Sequence, residues 1–235
     1  MNLPLEKETW LETPNKLEEI NNTVRYTNWT ALRRLGAPRK NAGVKVAEFE
    51  AGLIAQGIEL RGAYDLTGFR GDADLLLWIH AETAEQVQGA IKDFLATELG
   101  ANYESVFSAM GLHRPAEFNR SHVPGFMLGK EPKDWLCFYP FVRSYDWYLL
   151  PEAERREMLI EHGKAGHEFP GILSSTVAAF ALGDYEWLLA LESNELHEIV
   201  DMMRELRYTK ARLHVREEVP FYTGRKIQLS QIGAN

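Results

Sequence analysis

Apolar positions along this chain alternate between two spacings, and the alternation occurs twice. The segment GDADLLLWIHAE (Gly71–Glu82) and the segment GDYEWLLALESN (Gly183–Asn194) both open with Gly-Asp, carry an acid two residues later, and run into a short apolar stretch of strand character. Each is followed without a gap by helical spacing, Val87, Ile91, Phe94 and Leu95 in the first case and Leu196, Ile199, Val200, Met203 and Leu206 in the second. A further β-rich segment follows each unit, Tyr103–His113 and Ala211–Tyr222. Each half thus reads as strand, helix, hairpin, helix, strand, the ferredoxin-like α+β arrangement. Two tandem halves can join their sheets into a dimeric α/β-barrel with helices outside. The pattern predicts an N-terminal domain over 16–118 and a C-terminal domain over 130–235. A connection over 119–129 lies within the Pro-, Gly- and charge-rich stretch His113–Trp135, which predicts a long surface loop. About fifteen residues at the start read as an arm.

Composition narrows the function classes. With 45% hydrophobic and 26% charged residues, the chain can bury a proper core. The formal net charge of −8 argues against a nucleic-acid binder but leaves room for a local basic pocket. A single cysteine, Cys137, excludes an intramolecular disulfide and fits a reducing compartment. The opening MNLPLEKETWLETPNKLEE holds no apolar run of signal length, and the stretch Val177–Leu182 is too short to cross a bilayer, so the chain reads as cytoplasmic without membrane insertion. No GxSxG, P-loop or GxGxxG occurs, and no histidines are paired at zinc spacing.

The candidate chemistry lies early in the second half. The aromatic run Trp135–Arg143 predicts a strand, and alternation puts Trp135, Cys137, Tyr139, Phe141 and Arg143 on one face. Tyr139 and Arg143 are then roughly 13 Å apart, at about 3.3 Å per residue. A phenol and a guanidinium so placed suit two edges of a large flat carboxylate ligand; taken alone, the strand fits a core tyrosine and a surface arginine better. Pro140 predicts an edge or a bulge. From Pro151 a helix runs to about His162, with Leu159, His162 and Gly166 on one face. Small residues beside His162 would let a broad ring approach, with neutral imidazole as axial ligand to haem iron. Taken alone, the position fits a histidine capping the helix C-terminus better. His122, in the connecting loop, is either solvated or a base folded over a pocket.

In combination these segments are more specific. FYPFVRSYDWYLLP, ERREMLIEHGKAG, FALGDYEWLLALE and VDMMRELRYTKARLHVREEVPFYTGR, in that order, resemble the coproheme decarboxylases of Gram-positive bacteria, relatives of chlorite dismutase, and look closest to the actinobacterial branch. The similarity spans the chain from about Lys16. It implies paired ferredoxin-like domains, a homopentamer, and peroxide-dependent conversion of iron-coproporphyrin III (coproheme) to haem b, the substrate being its own redox centre. It implies His162 as axial iron ligand, Tyr139 as the tyrosine that becomes the oxidising radical, and His122 as distal base. It further implies Arg143, Trp147 and, by a weaker match, Arg207 as propionate-holding residues. Pathway logic adds ferrochelatase as a transient upstream partner.

The chain departs from the Firmicutes pattern at Phe141 and Arg143, where Met and Lys stand. It also lacks the distal glutamine of that branch and the distal arginine of the chlorite-splitting relatives, since ILSSTVAAFAL (172–182) contains neither. The alternatives are a chlorite dismutase or haem peroxidase on the same fold, or a non-catalytic haem carrier.

Overall fold

In a computed structural model, which describes residues 14–36, 42–120 and 122–232, both predicted halves fold as βαββαβ units. The first comprises β1 (Tyr26–Arg34), α2 (Ala42–Ala55), β2 (Glu59–Asp65), β3 (Leu75–Ala81), α3 (Ala84–Ala96) and β4 (Tyr103–Leu112), preceded by a short helix α1 (Pro14–Asn22). The second comprises β5 (Trp135–Arg143), α4 (Glu152–His167), β6 (Leu173–Ala178), β7 (Trp187–Ser193) and α5 (Leu196–Leu206). Its last strand is split into β8 (Val215–Glu217) and β9 (Tyr222–Ile227). Most of the expected arm, residues 1–13, lies outside the described residues, and its last positions belong to α1.

All strand pairings are antiparallel. The order β7-β6-β4-β1-β3-β2-β9-β5 closes on itself through β5–β7, and β8 adds to the end of β5. The halves therefore share one barrel, joined at β2–β9 and at the short β4–β6 seam, where Leu112 faces Ala178. Closure removes the exposed edges that two separate sheets would each present. Around Pro140 the β9 ladder ends at Phe138 and the β8 ladder begins at Val142, so the residue without an amide hydrogen sits in a break.

Three apolar layers follow from strand alternation. Inward residues of both halves fill the barrel, with Trp29 stacked on Phe138 (ring centroids 4.7 Å) and tilted on Trp78 (4.9 Å). Outward residues of the first half, Leu75, Leu77 and Ile79, pack under α2 and α3. α3 begins in a Thr83–Gln86 capping box that satisfies its first amides. Outward residues of β5 and β7, Cys137, Tyr139 and Leu191, pack under α5 through Ile199, Met202 and Leu206.

The predicted surface connection is a surface loop only in part. Val123 to Phe126 are buried, and Phe126 enters the barrel core edge-on to Trp78 at 5.7 Å. Its amide donates to Ser175 Oγ (3.3 Å). A closed barrel needs its end filled, and the connecting segment supplies the aromatic plug. A second cross-half link is a buried ion pair, Arg61 to Glu192 at 3.0 Å. Arg61 also donates to the Lys130 carbonyl, and the Lys133 amide donates to Glu192 (3.3 Å).

Candidate active site

The predicted face of β5 is the observed one. Cys137 and Tyr139 are buried against the helices, with Trp135 and Phe141 partly buried beside them, while Leu136 and Phe138 point into the barrel. Tyr139 stacks on Phe221 (4.5 Å between centroids), and its hydroxyl lies 3.5 Å from the sulfur of Met203 on α5. Burial, then the neighbouring charge of Glu218, pushes its pKa far above the ordinary phenol value. Tyr139 is therefore a protonated phenol at any working pH. Burial likewise pushes the Cys137 thiol up to about 11, which makes it an unreactive packing group.

Arg143 continues the same face. Its guanidinium carbon lies over the Trp147 ring (4.2 Å to the centroid) and also over Phe141 (5.3 Å). It is half-buried, and among the described residues its guanidinium has no hydrogen-bonded carboxylate. Glu186, nearby, is engaged instead by the Arg143 backbone amide (2.9 Å) and the Tyr148 hydroxyl (2.9 Å). Desolvation holds the Arg143 pKa below its ordinary value, and Tyr148 and Glu186 offset that only in part. Trp147 itself is buried against Met158 and Ala211, so it forms the floor under Arg143.

α4 extends one turn beyond the predicted end, to His167, which places His162 in the body of the helix. The hydroxyl of Thr209 donates to the Leu206 carbonyl (2.9 Å) and meets His162 Nδ1 at 3.4 Å as acceptor. Nδ1 thus carries the proton and Nε2 is left as the donor atom for a metal. Desolvation, then Arg143 and His122, lowers the His162 pKa, so its imidazole is neutral and suited to ligation. An added Cβ at Gly163 would meet no atom within 4 Å, whereas one at Gly166 would lie 3.6 Å from Met202. Gly163 therefore opens onto free space, and Gly166 serves the α4–α5 packing. Among the described residues no group of three or more His, Cys, Asp or Glu could hold a metal ion. Iron on His162 would have to bring its other ligands with it, as a porphyrin does.

His122 is exposed. Desolvation and the charge of His167 nonetheless hold its pKa below the ordinary value, so its ring is a neutral base. It is within electrostatic reach of His162. Arg207 is arranged differently from expectation. It pairs with Glu218 (2.9 Å), which also accepts from Arg212 at 2.6 Å. The triad carries a net positive charge beside Tyr139, since all three charges act on its phenol. Arg212, Glu218, Met203, Thr209 and Phe221 are functional candidates that sequence reasoning missed. The run REEVPF (216–221), two acids before an aromatic at a strand break, was the signal for two of them. On β6, alternation turns Ser174, Thr176 and Ala178 toward the helices, so this face offers no cation.

The structure thus packs Tyr139 under α5, sets Arg143 over Trp147 and within electrostatic reach of His162 on α4, leaves His122 exposed within reach of that same histidine, and ties Arg207 to Glu218. Comparison with known proteins agrees with this architecture. The chain matches the chlorite dismutase family over residues 39–227 and belongs to that family. Its fold is similar to a variant chlorite dismutase of Candidatus Nitrospira defluvii, with a TM-score of 0.78 at 18% identity, covering 93% of this chain and 96% of that one. The same organism's enzyme in complex with imidazole gives a TM-score of 0.76 at 17% identity, over 97% and 98% of the two chains. In sequence, the chain is 47% identical over 220 residues to the coproheme decarboxylase of Mycolicibacterium smegmatis, covering 92% of this chain and 95% of that protein. No helix among the described residues is long and apolar enough to cross a membrane.

Proposed function

We propose that this chain is a coproheme decarboxylase, converting two propionates of iron-coproporphyrin III to vinyl groups with hydrogen peroxide. The observation that carries this reading is a neutral histidine on α4 within electrostatic reach of an arginine without a hydrogen-bonded carboxylate, which shares strand β5 and its face with a buried phenol. The 47% identity to a named coproheme decarboxylase supports the substrate.

The substrate supplies iron and macrocycle, and peroxide supplies the oxidising equivalents. His162 holds the iron through Nε2. Arg143, kept planar on Trp147, receives a propionate bidentately. Arg207 and Arg212 add positive potential beside Tyr139. Tyr139 gives up its phenolic hydrogen as an atom, because burial forbids the phenolate, and the resulting radical takes a hydrogen atom from the adjacent propionate. Loss of carbon dioxide and one further electron leaves the vinyl group. Each round therefore converts one propionic side chain and one peroxide to one vinyl, one carbon dioxide and two waters. His122, neutral at pH 7, is the base that takes the proton from peroxide. Two rounds give haem b. The homopentamer, the cytoplasmic location and a transient contact with ferrochelatase belong to the same reading.

Chlorite chemistry on the same fold is disfavoured by Ser174, Thr176 and Ala178, which leave β6 without a cation toward the site. Tyr139→Phe tests the radical role. It should bind coproheme with unchanged affinity and yield no vinyl product; normal turnover would remove Tyr139 from the mechanism.

A further inference from the structure

His122 lies on a connection that is fastened on both sides, and the fastening comes from the helix that carries His162. Arg155, one turn into α4, reaches in two directions. Its guanidinium donates to the carbonyls of Leu150 (2.9 Å) and Tyr148 (3.4 Å), in the turn after Trp147. It also pairs with Glu117 (2.6 Å) and lies 5.8 Å from the Phe118 ring, both in the connection. From α1, Asn21 donates to the Arg120 carbonyl (2.6 Å). Beyond His122, Val123 to Phe126 are anchored in the core. His122 is therefore the exposed apex of a short span with tethers at 117–118, at 120 and at 123.

We propose that Arg155 is a positioning residue for His122: it fastens the connection to the turn beneath Arg143, and so holds the distal base at a fixed place over the site. The proposal rests on the coproheme reading for its catalytic consequence, but its structural part stands apart from it. Arg155 is suited to the task because a guanidinium engages a carboxylate, two carbonyls and an aromatic face at once, which an ammonium cannot. Its side chain is largely buried while Glu117 is half exposed, so the two carbonyl contacts at the Arg155 end hold the guanidinium in place and the carboxylate adds a partly solvated pair. A base displaced by even about 1 Å loses much of its rate advantage.

The test compares wild type, Arg155→Ala and Arg155→Lys. In the ligand-free protein, hydrogen–deuterium exchange of residues 114–122 should rise about five- to tenfold in Arg155→Ala while the β-strands keep their protection. With coproheme bound, affinity should stay within about twofold, and peroxide-driven turnover at saturating coproheme should fall at least about fivefold. Arg155→Lys should recover only part of both losses, since an ammonium cannot engage the carboxylate and both carbonyls together, and full recovery would overturn the role given to the guanidinium fork. Unchanged exchange in 114–122 would overturn the clamp. Raised exchange with unchanged turnover would overturn the positioning of His122. Were the wild type itself inactive on coproheme, the proposed function would fail while the exchange data still judged the clamp.

Discussion

Arg143 is the residue whose replacement separates a binding role from a structural one. Its guanidinium rests on Trp147 and Phe141 without a hydrogen-bonded carboxylate, and desolvation lowers its pKa. The folded protein therefore carries a half-buried cation that Glu186 compensates only in part. A propionate arriving there forms a charge-assisted pair, worth about 1.5–3 kcal/mol. At about 1.4 kcal/mol per decade, Arg143→Met should weaken coproheme binding roughly 10- to 150-fold. Methionine keeps an apolar contact with Trp147, so the unfolding free energy should change by no more than about 0.5 kcal/mol, or rise slightly as the desolvation cost disappears. Arg143→Lys should fall between, keeping charge but losing the planar stack and the fork. The assay pairs an absorbance titration with coproheme and a urea melt of the ligand-free protein. Unchanged affinity in Arg143→Met, or a loss of about 3 kcal/mol in stability, would overturn this role, because either result would mean that the cation is already satisfied within the fold.

Arg61→Met should cost about 3–5 kcal/mol of stability by leaving Glu192 buried without its cation, measured by urea unfolding, whereas adding Glu192→Leu should restore much of the loss; a single-mutant cost under about 1 kcal/mol would contradict this. His80, His113, His122 and His162 all have pKa values lowered in the fold, mainly by burial, from an ordinary 6.5. Below that value the unfolded chain binds more protons than the native one, so stability should be fully present above pH 6.5 and decline as the pH falls through it; a flat profile between pH 7 and 5 would contradict the shifts. Coproheme ligation by His162, followed by absorbance, should persist below pH 6.5 for the same reason, and loss of the ligated spectrum at or above that value would count against His162 as the ligand.

Much of this organisation was legible in local pattern. The Gly-Asp units at 71 and 183 foretold β3 with α3 and β7 with α5 in matched register, since residues 75 and 187 open the strands and 84 and 196 open the helices. The aromatic run Trp135–Arg143 coincides with β5, because alternation and β propensity agree there. The features that escaped are long-range. Nothing local to Pro124-Gly125-Phe126 announces that this loop segment plugs a barrel end, which depends on Trp78 and Ser175 lying opposite. The last strand is divided because β5 pairs β9 at one end and β8 at the other, a consequence of barrel closure. Arg207 was legible as a cation near the site but not as Glu218's partner, since eleven residues of chain must turn back before the two meet. α4 runs a turn past its expected end at His162, through Gly163 and Gly166 to His167, where it packs against α5, a contact between helices far apart in sequence.

If the layer around Tyr139, Arg143 and His162 turns coproheme into haem b, the most direct check is titration of the purified protein with iron-coproporphyrin III, then with hydrogen peroxide, reading the porphyrin products by mass spectrometry. Stepwise loss of two carboxyl groups through a monovinyl intermediate is expected, with about one peroxide consumed per vinyl formed. Tight binding followed only by bleaching of the porphyrin would contradict that role.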